Sequence, residues 1–189
     1  AIAGVSITGT NLALNNTIDT TNSGVVFTDL SGTATIAAAG VITADGAVTL
    51  DADLGITTSA DITTTNDSIT FNDATTLNAG IALVSAGGAI AFNSTLDGTQ
   101  TLSLTAGTGN IDFDGIVGGT TPLAAVTVVS VANLVADFAF SAASFTQSAG
   151  SGTTTFTGAV ATTAIAGVSI TGTNLALNST INTTNSGVV

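Results

Sequence analysis

The chain has 189 residues and a net charge of -12, yet only 6% of its residues are charged. All 12 charges are aspartates, and Lys, Arg, His, Glu, Cys, Met, Trp and Tyr are absent. Without Cys or His there is no zinc site, disulfide or thiol chemistry. Without cations there is no footprint for a DNA or RNA backbone, and no Ser-His-Asp or Cys-His set can be assembled.

Apolar residues make up 44% of the chain, which is enough for a core and too much for the low-hydrophobicity class of disordered chains. Aromatics are only 4%, all of them Phe, so Ala, Val, Ile and Leu must do most of the packing. Helix formers with charged heads are absent, while β-branched residues and turn formers abound; this points to an all-β fold. There is no starting Met and no secretory leader, and the chain begins and ends in mid-pattern. We therefore expect a piece of something longer.

The first feature in chain order is the segment 1–26, AIAGVSITGTNLALNNTIDTTNSGVV, which returns at 164–189 as AIAGVSITGTNLALNSTINTTNSGVV. Only Asn16 against Ser179 and Asp19 against Asn182 differ. Such self-similarity predicts a long tandem unit, 1–163, with 164–189 opening the next near-identical copy.

From AVTL (47–50) a shorter period takes over, and SITF (68–71), AIAF (89–92) and NIDF (110–113) follow at steps of 21. Val48, Ile69, Ile90 and Ile111 form one column. Leu50, Phe71, Phe92 and Phe113 form another two positions on, so both share a strand face. Ala60, Ile81 and Leu102, then Ile62, Leu83 and Leu104, make a second ridge. Leu54, Thr75, Leu96 and Val117 make a weaker one. Gly46, Asp67, Gly88 and Gly109 form a turn column, in dipeptides that tolerate positive φ. Like residues recurring every 21 positions predict a parallel β-helix, a β-solenoid whose coils lie about 4.8 Å apart. Nine coils would make a rod roughly 43 Å long. A left-handed hexapeptide solenoid favours multiples of six, so right-handed winding is expected, as in other parallel crossovers.

The rhythm loosens outside 47–117. Phe27 to Leu50 is a step of 23, and Phe113 to Phe156 one of 43, read as two coils. Pro122 to Ala143 is apolar enough to suggest a membrane span, but Asn133, Asp137 and the alternating Val favour consecutive buried strands. TTPLAAVTV (120–128) resembles TTAIAGVSI (162–170), and Asn133-Leu134 resembles Asn174-Leu175. From Phe156 to the next expected counterpart of Phe27 is a step of 34, which is not a whole number of coils. Seven and eight coils per unit both stay open, and an insertion or bulge is expected near 140–165.

Candidate sites are few. Asp51 with Asp53, and Asp112 with Asp114, are paired carboxylates of the kind that hydrolyse glycosides. No base or cation exists to complete them, so the chain reads as a non-enzyme and these pairs as solvated faces. Asp45, Asp51 and Asp53 are the best oxygen-rich cluster for calcium, although the Gly-Gly-x-Gly-x-Asp repeat of calcium-binding β-rolls is missing. Otherwise no cofactor is expected. Asp51, Asn72, Asn93 and Asp114 share a column in which stacked amides can hydrogen-bond from coil to coil. An ice-binding array would need an unbroken Thr ladder, and Thr49, Thr70, Ala91, Asp112 breaks after two coils. Asn66-Asp67-Ser68 and Asn93-Ser94-Thr95 match the glycosylation acceptor pattern.

VGGTTPLAAVTV (117–128), SLTAGTGNIDFDG (103–115) and the Phe-x-Gly-x-Val starts at Phe113 and Phe156 carry a resemblance. They are similar to the repeats of very long bacterial surface proteins grouped with filamentous-haemagglutinin-like adhesins. The resemblance implies secretion to the cell surface, a parallel β-helix shaft, and a role in adhesion or a surface fibre. Partners would then be neighbouring repeats end to end, sister shafts side by side, and surface glycans; nucleic acid and a membrane span in this stretch are not expected. The alternative is a solenoid module that itself binds carbohydrate or calcium.

Overall fold

The computed structural model describes residues 4–20 and 26–184; the outer parts of the repeated segments, 1–3, 21–25 and 185–189, lie outside them. The described residues form 24 strands and no helix. Every pairing between these strands is parallel, and they line up in a nine-stranded, a five-stranded and a ten-stranded sheet. The chain therefore winds as a β-solenoid with three faces per coil. No helix among the described residues is long and apolar enough to cross a membrane.

Each strand is short because few inward positions fit on a face. Val48–Leu50, Ile69–Phe71, Ile90–Phe92 and Ile111–Phe113 all bury their first and third residues and turn the second outward. The expected ladder is present. Val48 pairs with Ile69, Ile69 with Ile90 and Ile90 with Ile111, while Leu50, Phe71, Phe92 and Phe113 follow two positions on. All eight are at most 1% exposed. Phe71 and Phe92 stack with ring centroids 4.8 Å apart, and Phe92 and Phe113 with centroids 5.5 Å apart. Stacking at coil spacing lets each ring bury its faces against its own kind.

On this first face Val5, Val26, Val48, Ile69, Ile90, Ile111, Leu134, Thr154 and Leu175 lie one above another. On the second face the column is Leu12, Ala34, Ile56, Thr75, Leu96, Val117, Phe140, Val160 and Ile181. On the third it is Ile18, Ile42, Ile62, Leu83, Leu104, Val128, Gln147 and Ile170. Coil lengths vary: Ile56 to Thr75 is a step of 19, and Ile18 to Ile42 a step of 24. The corners absorb this variation while the strands stay in register. Eight turns separate the first rung from the last, about 38 Å at strand spacing.

Two expectations need correction. Leu54 is not in the second-face column: it is 75% exposed, and Ile56 takes the place below Thr75. The corner Asp53-Leu54-Gly55 is long, turns through Gly55 at φ +109°, and pushes Leu54 outward. The backbone of Phe27 pairs with Thr49 and not with Leu50, so the step of 23 from Phe27 to Leu50 is not a step of the strand register.

The irregularity expected near 140–165 is found at the end of that stretch. Phe140 pairs with Val160, whereas Phe145, on the same strand, pairs with Val168. Extra residues enter after Thr162, turn through Gly167 at φ +57° and leave Ile165 exposed. A second irregularity lies earlier. Ile111 to Leu134 is a step of 23, and the pairing slips at Leu104/Thr105, leaving Val129 exposed.

Phe113 to Phe156 is two coils, as expected, and the rung between them is Ala136. The space left by this small side chain is filled from the second face. Phe140 packs edge-on against Phe113, Phe145 and Phe156, with centroids 5.6, 5.4 and 5.9 Å away. The two look-alike segments also fall in phase: Val126 and Val168 share a column two coils apart, as do Leu134 and Leu175.

The two copies of the long repeat do not lie on matching faces. In the first copy Val5–Gly9, Leu12–Leu14 and Ile18–Thr20 occupy the first, second and third faces. In the second copy Val168–Ile170 joins the third-face column, Leu175–Leu177 the first and Ile181–Thr183 the second. Each element of the second copy sits one face back.

Candidate functional site

The corner between the first and second faces collects the most polar chemistry. Asp51, Asn72, Asn93 and Asp114 each follow an inward Leu or Phe and so leave the strand at the same point of successive coils. Asn72 donates from Nδ2 to Asp51 Oδ2 at 2.8 Å, and Asn93 from Nδ2 to Asn72 Oδ1 at 3.0 Å. The expected amide column thus forms over three coils. Asp114 stands at the equivalent position one coil on and, with Asn93, lines a shallow groove of about 280 Å³. Ser94, Thr95, Gly115, Ile116 and Phe138 complete the groove; Ile116 is 40% and Phe138 53% exposed.

Asp45, Asp51 and Asp53 do not converge. The strand Val48–Leu50 runs between Asp45 and Asp51, which places them at opposite corners of one face. Asp51 turns its carboxylate to Asn72, and Asp53 is exposed on the long corner. Among the described residues no three acidic side chains come close enough to hold a metal ion.

Asp112 and Asp114 lie two apart on one strand and its exit, and Asp137 follows one coil on. Partial burial, then the charges of Asp114 and Asp137, raise the Asp112 carboxyl above its ordinary range. Asp112 sits on the outward column Thr49, Thr70, Ala91 and pairs with Val135 above, so its flank is apolar.

Other polar contacts link the coils without any sign in the 21-residue columns. Asp73, Asp61 and Asp97 each turn a carboxylate onto a backbone N–H of a neighbouring coil: Ala52, Ala82, and the pair Thr120 and Thr121. Asn11 Oδ1 accepts from the Thr33 N–H at 2.8 Å, and Asn133 Oδ1 from the Thr153 N–H at 2.9 Å. In both cases a glycine precedes the threonine, and a Cβ on Gly32 or Gly152 would strike that asparagine oxygen. The signal for this contact is an asparagine just before a strand, followed one coil later by Gly-Thr. In the core, Thr154 donates to Gln147 Oε1 at 2.7 Å, and Gln147 Nε2 donates to the Thr171 carbonyl at 3.2 Å.

This arrangement offers repeated hydrogen-bonding and apolar surface, and the groove beside Phe138 joins an exposed aromatic ring to amide and carboxylate groups. No protein-family model, no curated protein and no solved structure matches the chain.

Proposed function

We propose that the chain is a segment of a structural shaft: part of a long bacterial fibre, stalk or sheath outside the cell, related to adhesins, in which tandem units stack end to end. The observation that supports this reading is the continuity of the inward columns, which run on all three faces to the terminal rungs. An uncovered solenoid end presents open strand edges that invite aggregation, and a following unit covers them. Dispersed aspartates with no cation in the chain keep neighbouring shafts apart, or let divalent ions bridge them. Oxidants find no Cys, Met, Trp or Tyr, and trypsin-like proteases no Lys or Arg. Electron microscopy of the native material tests the reading. Long thin fibres of uniform width are expected, and discrete globular particles would overturn it.

The groove at Asn93, Asp114 and Phe138 favours a second reading, a solenoid module that binds carbohydrate. A sugar ring can lie on the Phe138 ring while its hydroxyls meet the amide and carboxylate. Binding on a glycan array that is lost in Phe138→Ala would support it; an array with no binding would count against it.

A further inference from the structure

We propose that the rung Val168–Ile170, Leu175–Leu177, Ile181–Thr183, which opens the second copy, is the docking surface for the following coil of that copy, the counterpart of 27–46, and that each copy continues the winding one face further round the shaft. The proposal rests on the tandem-repeat reading above and adds its geometry.

Seven turns carry Val5 to Thr154 and the eighth reaches Leu175. Val168, the counterpart of Val5, falls between them on the third face, two faces past Thr154. The unit 1–163 therefore spans about seven and two-thirds turns, which answers the choice between seven and eight. Each unit advances about 37 Å and rotates by about a third of a turn; after three units, about 23 turns, the first face returns. The corner bearing the Asp51–Asn72–Asn93 column and the Phe138 groove would then recur on all three corners in rotation. A partner approaching the shaft from any side would meet it within three units.

The last rung has the chemistry to accept that coil. In the first copy Leu12 and Leu14 are covered by Ala34 and Ile36 of the next coil. Their counterparts Leu175 and Leu177 are 47% and 44% exposed on the last rung. Asn11 also caps the Thr33 N–H over Gly32, and its counterpart Asn174 is exposed at the start of the last first-face strand. Asn133 already makes the same contact with Gly152 and Thr153 on the first face, so that face accepts the motif that the first copy builds on the second.

The chain has no cysteine, so introduced pairs report register cleanly. Neighbouring parallel strands place partner Cα atoms about 4.8 Å apart, within disulfide reach. Thr155→Cys with Ala176→Cys, and Thr146→Cys with Ser169→Cys, should oxidise as readily as Thr70→Cys with Ala91→Cys in the middle of the rod. Thr155→Cys with Ser169→Cys should not. Closure of that last pair, or failure of the first two while the middle pair closes, would overturn the rotation. For the docking surface, the chain is extended past Val189 by a segment identical to 27–46. The melting temperature should rise by about 4 °C or more, with part of the rise lost in Asn174→Ala. No rise would overturn the docking surface. These readouts concern register and end-covering, so they stand or fall separately from the fibre role.

Discussion

Asn72 holds the middle of an amide column: its Nδ2 reaches Asp51 Oδ2 at 2.8 Å while its Oδ1 accepts from Asn93 at 3.0 Å. One side chain thus links three coils on a partly solvated corner. Asn72→Ala removes both bonds and is expected to cost about 1–2 kcal/mol. Asp51→Asn keeps an acceptor for Asn72 and should stay within about 0.5 kcal/mol of the parent. Urea melts of the two variants check the contrast; equal losses would show that the column contributes nothing as a column.

Phe92 is sandwiched between Phe71 and Phe113 and is 1% exposed. Phe92→Ala leaves a void that rigid parallel strands cannot close, with an expected loss of about 3–5 kcal/mol. Phe92→Leu should cost much less, about 1–1.5 kcal/mol, because Leu50 already fills the equivalent place beside Phe71. The check is the denaturation midpoint at unchanged slope.

Gln147 and Thr154 form a buried polar pair, each 1% exposed, and their bond spans the core between the third and first faces. Thr154→Val strands Gln147 Oε1 without its donor, at an expected cost of about 1–3 kcal/mol. Gln147→Leu combined with Thr154→Val should recover much of that loss, since no polar atom of the pair is then left unmatched. A double-mutant cycle by thermal melting measures the coupling.

Asp112 gives the pH dependence a sign. Its carboxyl is raised in the folded chain by partial burial and by the nearby charges of Asp114 and Asp137. Between the ordinary carboxylate value and the raised one, the folded state binds more protons than the unfolded state. This group's contribution to stability therefore falls as pH rises through that window, and is least favourable at neutral pH. Asp112→Asn should raise the melting temperature at pH 7, and the gain should shrink as the pH is lowered through the window. A gain that grows in acid would contradict the assignment.

The apolar columns were legible in the sequence because a parallel ladder forces like residues onto a fixed interval. Spacing alone places Val48 to Phe113, and it places the Asp51–Asn72–Asn93 column too. Leu54 and Phe27 misled because a corner can gain or lose residues without disturbing the strands on either side. Ala136 carried no sign that Phe140 would fill its place from another face, since that contact joins two columns rather than two turns of one. The groove at Phe138 was hidden for the same reason: its walls, Asn93, Asp114 and Phe138, come from three successive coils of unequal length.

Composition and the recurring interval alone determined that the chain is all-β, that it winds in parallel coils, and which side chains face inward in the regular coils from Val48 to Phe113, since alternation along a strand and stacking between strands are local rules. Only the tertiary structure decided where each corner ends, and corner lengths add along the chain until the second copy of an almost unchanged sequence starts on a different face. Register is a running total of every coil below it, so no segment read by itself could reveal it.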